Sequence, residues 1–164
     1  KIQERITKLA AGVAVINVGA ATQVEMIEKK HRIEDALEAV RSAQLEGTVP
    51  GGGVALVRIV QSLDVEVDND DQRLGVEIIK QAAYAPLRQM ALNAGESYDL
   101  ILAEILANPD GFGWDFSNNT IVDMYEQGII DPAKVTRSAI QNATSVASTL
   151  ITTNHAIVEM ADES

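Results

Sequence analysis

The chain has 164 residues, of which 46% are hydrophobic and 4% aromatic, with 24 acidic against 13 basic side chains. The formal net charge of -11 disfavours nucleic acids and anionic membranes as partners, because binding to either draws on clustered Lys and Arg. The absence of cysteine excludes disulfides, thiolate metal sites and thiol nucleophiles. No apolar run reaches the ~20 residues of a membrane span. We therefore expect a soluble, cytoplasmic protein that buries a core of its own.

Two helices and a strand are predicted in the first third of the chain. Residues 1–9 read as the middle of a helix, so we expect the chain to be part of a longer protein. The β-branched run at residues 13–19 is bounded by glycines and predicts a short strand. Thr22 and Glu25 have the spacing of a capping box, which predicts a long helix over residues 22–46.

The charge balance changes near Gly47. Residues 1–46 hold seven basic and seven acidic side chains, whereas residues 47–164 hold six and seventeen. Such a shift in composition predicts a domain boundary.

A glycine-rich turn at residues 51–53 leads into an almost wholly apolar run at residues 54–60, which predicts a buried helix. An acidic segment over residues 64–71 predicts a solvated loop. Apolar spacing then predicts three helices, near residues 71–83, 86–93 and 98–107. Around residues 112–116 the apolar period shifts toward two, which predicts a hairpin with residues 121–124.

The last predicted elements are a helix and a strand. Asp131 followed by Pro132 is typical of a helix start, with the aspartate as N-cap. Its inward face is predicted to carry Val135, Ala139, Ala143, Val146, Ala147 and Leu150. Residues 156–160 predict a short closing strand.

Few residues suggest chemistry on their own. His31 and His155 have no further imidazole or cysteine to complete a metal site or a catalytic triad, so we interpret both as structural or exposed. The glycines at 51–53 could let a ligand approach the backbone at a helix N-terminus, but they fit neither a Walker A loop nor a dinucleotide motif. A tight turn between helices is the simpler interpretation.

Three aspartates each have two interpretations. Asp35 lies mid-helix, either on a solvated face or as a carboxylate that orients or deprotonates a water. Asp131 is either a helix N-cap or a ligand contact. Asp115 is either part of the hairpin turn or part of a site.

Taken together, these residues closely resemble the C-terminal part of a group I chaperonin, the GroEL family of ATP-driven protein-folding cages. The similarity covers essentially the whole chain. It rests on the motifs Gln3-Glu4-Arg5, Val18-Gly19-Ala20-Ala21-Thr22, Glu34-Asp35-Ala36-Leu37, Gly51-Gly52-Gly53-Val54-Ala55-Leu56, Ala85-Pro86-Leu87-Arg88-Gln89 and Gly128-Ile129-Ile130-Asp131-Pro132 with Lys134-Val135-Thr136-Arg137-Ser138-Ala139.

The resemblance implies a mainly α fold with a few short strands, formed as a partial helical equatorial-domain bundle. By the family's domain order, residues 1–13 would end the apical domain, 14–46 would belong to the intermediate domain, and 47–164 would form the C-terminal half of the equatorial ATP-binding domain. The second of these boundaries agrees with the charge shift.

The resemblance also implies roles for single residues. Asp35 matches the aspartate that positions the water attacking ATP. Gly51 and Gly52 match glycines that lie against the nucleotide. Asp115, Phe116 and Ser117 match a hairpin turn that brackets the base. Ile129 matches an apolar wall of the pocket, and Asp131 matches the acidic residue that holds the nucleoside end. The position of Phe116 is usually a small residue in the family, so we expect altered base contact or pocket volume there.

ATP and Mg²⁺ are the implied cofactors, but the Gly-Asp-Gly-Thr-Thr-like loop that holds phosphates and metal in the family is absent from this sequence. We therefore expect no metal ligands here and negligible ATPase activity from this chain alone. Implied partners are other copies in a homo-oligomeric ring, unfolded client proteins and a co-chaperonin. The rival hypothesis is a non-catalytic helical assembly module, in which the aspartates and glycines are only caps and turns.

Overall fold

A computed structural model of the chain describes residues 2, 5, 6 and 14–157. The chain divides into two compact units, Lys1–Glu38 and Ala39–Ser164. Helices dominate and the strands are short, which confirms the predicted mainly α class. In the described part of the chain, no helix is both long and apolar enough to cross a bilayer.

Helix α1 spans Gln23–Glu46 and begins with the predicted capping box. The Thr22 backbone N–H donates to Glu25 Oε2 at 3.3 Å, and the Glu25 N–H donates to Thr22 Oγ1 at 3.2 Å. These bonds satisfy N–H groups that the first turn of a helix leaves without intrahelical partners. No residue of α1 is buried.

The strand predicted at residues 13–19 is wrong over the part that the structure describes. Residues 14–19 lie in no strand, and Val15 and Ile16 are exposed. A β-branched run becomes a strand only where a second strand pairs with its backbone, and no described strand does so here.

Two further predictions fall mostly outside the described residues. Of the helix predicted over residues 1–9, the three described residues are helical. Of the strand predicted over residues 156–160, the two described residues lie in no strand.

The second unit follows the predicted order of elements, with two short strands added. In chain order these elements are β1 (Thr48–Pro50), α2 (Val54–Ser62), α3 (Asp70–Ala83), α4 (Ala85–Ala94), α5 (Tyr98–Ala107), β2 (Phe112–Asp115), β3 (Thr120–Asp123), β4 (Ile130–Pro132) and α6 (Ala133–Ile151). The three helices after the acidic loop and the β2–β3 hairpin confirm the sequence predictions.

The hydrophobic core is formed by α2, α4, α5 and the residue that follows β3. Its buried members are Val54, Val57, Leu87, Ala91, Ile101, Ile105 and Met124. The apolar run at residues 54–60 is therefore a helix with a buried face, as predicted. The hairpin packs against the core through Trp114, Ile121 and Val122.

Strands β1 and β4 pair antiparallel, with Val49 opposite Asp131. The pairing places Asp131 inside a strand, and α6 begins only after Pro132. The prediction that Asp131 caps this helix is therefore wrong. No side chain caps α6, and the Ala133 N–H donates instead to the Gly47 carbonyl oxygen at 3.0 Å.

The prediction of an inward face on α6 is wrong, since all six residues assigned to it are exposed. Val135, Ala139 and Ala143 line a groove, and Val135, Val146 and Leu150 are 53%, 60% and 66% exposed. The remainder of the helix has no neighbour within the described residues that buries it, since none of its residues is buried.

Candidate functional site

The glycine turn at residues 51–53 lies against the backbone that leads into β4. The Gly51 N–H donates to the Ile129 carbonyl oxygen at 2.9 Å, and a Cβ on Gly51 would lie 2.9 Å from that same oxygen. Gly52 and Gly53 have φ angles of 65° and 74°, where other residues are strained. The turn therefore needs glycine for its own packing, as the tight-turn interpretation requires.

An apolar groove of about 580 Å³ lies beside this turn. Its walls come from α2, α3, α4 and α6, and its lining includes Gly52, Leu56, Ile79, Met90 and Ile140. Among the described lining residues, Asp131 is the only ionisable one. Although the Asp131 side chain reaches solvent, partial burial raises the pKa of its carboxyl above the ordinary value of 3.8.

The turn between β2 and β3 is organised by the Asp115 carboxylate. Its Oδ2 accepts a hydrogen bond from Asn118 Nδ2 at 2.6 Å, and its Oδ1 accepts one from the Ser117 N–H at 2.8 Å. The hydrogen bond from Asn118 has the larger effect, and together with the bond from Ser117 it holds the pKa of Asp115 below its ordinary value of 3.8. Asp115 is 8% exposed, and Phe116 packs partly buried against the core. The hairpin interpretation of Asp115 is thus directly visible.

Asp35 lies in the middle of α1 and belongs to the first unit, whereas the other predicted site residues belong to the second. Its side chain is exposed. On the same helix Glu34 forms an ion pair with Lys30 at 3.0 Å, and Glu28 pairs with Arg32. The Asp35 carboxylate is therefore accessible to water or a ligand.

The predicted residues of the second unit fall into two groups. The β1–β4 pair and the glycine turn bring Gly51 to Ile129, and Gly52 and Asp131 to one groove. Asp115, Phe116 and Ser117 form the turn of the hairpin. An apolar wall with one carboxylate suits a nucleoside, because the faces of the base are apolar and the ribose hydroxyls donate hydrogen bonds.

The described groove lining offers no comparable groups for phosphates or for Mg²⁺. The groove lining within the described chain carries no Lys, Arg or His to face a triphosphate. Residues 14–157 also contain no cluster of three or more His, Asp or Glu side chains that could hold a metal ion. The described groove lining therefore offers an apolar surface and one carboxylate, and no basic group.

Two comparisons with known proteins bear on the family. The model of the TCP-1/cpn60 chaperonin family matches residues 3–161. This chain belongs to the TCP-1/cpn60 chaperonin family. It is also similar to a group III chaperonin solved in the open state, with a TM-score of 0.69 and 29% sequence identity over 85% of this chain. The match spans 30% of that chaperonin's own length.

The second unit contains an ion pair that the sequence patterns did not reveal. Arg137 on α6 donates from Nε to Glu46 Oε2 at 2.9 Å and from Nη2 to Glu46 Oε1 at 2.7 Å. Ninety-one positions separate the two residues, so no helical spacing points to them. The hydrogen bond from Arg137 holds the pKa of Glu46 below its ordinary value of 4.5.

We predict that Glu46→Gln lowers the stability of the chaperonin chain in a pH-dependent way. Because the pKa of Glu46 is lowered in the folded state, its contribution is present above the unfolded value of 4.5 and is lost as pH falls through the lower folded pKa. Urea unfolding at several pH values should show a gap between wild type and Glu46→Gln that closes in acid.

The matched control for this pH experiment is Arg137→Gln. In that background the Glu46→Gln change should have little further effect at any pH, since the partner is gone. A gap that stays constant across the acidic range would contradict the assignment.

Proposed function

We propose that this chain forms part of an ATP-dependent chaperonin subunit of the group I type, and that it supplies the nucleoside side of the ATP pocket. The observation that carries the proposal is the meeting of the glycine turn, Ile129 and Asp131 at the β1–β4 pair, beside an apolar groove. Membership of the chaperonin family supports this interpretation.

Each residue has a defined task in this proposal. Gly51 and Gly52 lie against the nucleotide, because a backbone without side chains permits close approach. Ile129 is the apolar wall, and Asp131 accepts hydrogen bonds from the ribose hydroxyls. The hairpin turn with Phe116 and Ser117 brackets the base, while Asp115 holds that turn in shape through its own hydrogen bonds.

Asp35 has the hydrolytic task. A carboxylate on a rigid helix can accept a hydrogen bond from the attacking water and so orient it toward the γ-phosphate. Mg²⁺, when bound, neutralises charge on the phosphates. Since no basic or metal-binding cluster lies in the described groove lining, the phosphate and metal ligands belong to other parts of the subunit.

The activity proposed for the complete subunit is the one typical of the chaperonin family. In the proposal, complete subunits assemble into a homo-oligomeric ring in the cytoplasm, bind unfolded client proteins and work with a co-chaperonin. Of the similar group III chaperonin, this chain matches only 30% of the length, so these partners are reached through a larger subunit.

The test compares two proteins: the 164-residue chain and a complete chaperonin subunit that contains it. We expect the complete subunit to bind and hydrolyse ATP, and the chain alone to show no measurable turnover, because phosphoryl transfer depends on the phosphate cradle and the metal. Turnover by the chain alone that Asp35→Ala abolishes would contradict the proposal.

A second candidate function is a non-catalytic assembly module. Two observations favour it: the Asp115 carboxylate is already bonded within its own turn, and Gly51 is already packed against Ile129. Large apolar side chains are also exposed on α3 and α6, including Leu74, Ile78, Val146 and Ile151. A complete subunit that assembles but binds no ATP would favour this function.

A further inference from the structure

Arg58 on α2 binds the segment that leads into the β2–β3 hairpin. Its Nη2 donates to the carbonyl oxygens of Ile105, Asn108 and Pro109 at 2.6, 2.7 and 2.9 Å. Its Nη1 lies 3.6 Å from Asp110 Oδ1. The Arg58 side chain is 18% exposed; its bonds to Ile105 and Asn108 are partly buried, and its bond to Pro109 is exposed.

The three carbonyl groups are the end of α5 and the first residues after it. Helix α5 ends at Ala107, and the Ile105 carbonyl oxygen accepts from the Asn108 N–H at 3.3 Å, so Arg58 Nη2 is its second donor. A cation at this end also interacts favourably with the helix dipole. Arg58 thus fixes the exit of α5, and the last carbonyl it binds, that of Pro109, lies three residues before β2 begins at Phe112.

The same helix holds the hairpin at a second point. Gly113 in β2 lies against Val54, one turn before Arg58 on α2, and a Cβ at Gly113 would come within 2.5 Å of Val54 Cγ2. Immediately before Val54 is the glycine turn. One short helix therefore connects the two groups of predicted nucleoside contacts, the turn at residues 51–53 and the turn at residues 115–117.

We propose that Arg58 is a positioning residue for the nucleoside pocket: it sets the hairpin turn relative to the glycine turn without touching the ligand. The inference rests on the proposed function, because it assigns the purpose of the fixed geometry to ATP binding. Arginine suits the task, since its planar fork donates several hydrogen bonds from one rigid group.

The test uses three variants of a complete subunit that contains this chain: Arg58→Met, Arg58→Lys and Val60→Ala. Arg58→Met keeps the stem and removes every donor. Arg58→Lys keeps a charge and donors without the fork. Val60→Ala is the matched control, because it shortens a buried side chain of the same helix and leaves the donors of Arg58 in place. ATP hydrolysis is followed against ATP concentration, well below the unfolding temperature.

We expect Arg58→Met to raise the half-saturating ATP concentration about 10-fold while the rate at saturation changes less than about twofold, since misplaced contacts weaken binding. Arg58→Lys should recover part of this loss. Val60→Ala should lower stability and leave the ATP dependence unchanged. Equal shifts in Arg58→Met and Val60→Ala would overturn the inference, as would no shift in either.

A second readout does not depend on ATP. It is measured on the 164-residue chain carrying the same substitutions, in which Trp114 of β2 is the only tryptophan, so the fluorescence reports on the hairpin. We expect a shifted emission maximum in folded Arg58→Met and an unshifted one in Val60→Ala; the wild-type spectrum in both would overturn the inference. A wild-type subunit that binds no ATP would instead overturn the proposed function, and with it the purpose assigned to Arg58.

Discussion

Replacing Gly113 by alanine is expected to destabilise the chain by about 1–3 kcal/mol, the usual cost of adding atoms to a packed core. A Cβ at this position would lie 2.5 Å from Val54 Cγ2 and 2.8 Å from Met124 Sδ. Both neighbours are fully buried, so neither can move away without displacing the core. The free energy of unfolding in urea measures the effect.

Gly75→Ala is the matched control for this substitution. Gly75 lies within α3, and no atom lies within 4 Å of a Cβ built there. Alanine in a helix interior is favoured over glycine by about 0.5–1 kcal/mol, so this variant should be at least as stable as the wild type. Equal stability of Gly113→Ala and Gly75→Ala would contradict the close packing of the hairpin against α2.

Local patterns predicted most of the helices correctly. The capping box at Thr22 and Glu25 forms as expected, because both partners lie within one turn of the chain. The apolar run at residues 54–60 becomes the central buried helix for a similar reason, since its composition alone disfavours exposure.

Pairing between distant segments could not be predicted in this way. Strands β1 and β4 have three residues each and join positions about eighty residues apart, so neither has a detectable period. This pairing is why Asp131 lies in a strand and not at a helix cap. The opposite error occurred at residues 14–19, where a β-branched run has no described partner strand.

The residues of the candidate site also could not be recognised from local sequence patterns. No pattern within the sequence distinguished Asp131 or Gly51 from an ordinary cap or turn, and only the family resemblance linked them. The structure brings Gly51 to Ile129 through a 2.9 Å hydrogen bond, and it places Asp131 on the groove next to Gly52. Phe116, expected to alter the pocket, packs partly against the core.

Asp35→Ala is expected to lower ATP hydrolysis by a complete subunit about 10²-fold, the effect of removing a group that orients or deprotonates the attacking water. ATP binding should persist, because the residues proposed to contact the nucleoside belong to the second unit. The change is confined to one exposed carboxylate on α1, so folding should be unaffected.

Glu34→Gln is the matched control for Asp35. It removes the neighbouring carboxylate on the same helix, one that pairs with Lys30 at 3.0 Å. An exposed ion pair of this kind contributes little, so the rate of hydrolysis should stay close to that of the wild type. A comparable loss in both variants would indicate a general effect of charge on α1.

The most direct measurement is therefore ATP binding and single-turnover hydrolysis by complete subunits carrying the wild-type, Asp35→Ala or Glu34→Gln sequence. We expect equal ATP affinity in all three and slow hydrolysis in Asp35→Ala alone. If Asp35→Ala hydrolysed bound ATP as fast as the wild type, Asp35 would be only a charge on the helix surface, and the catalytic role proposed for this chain would be wrong.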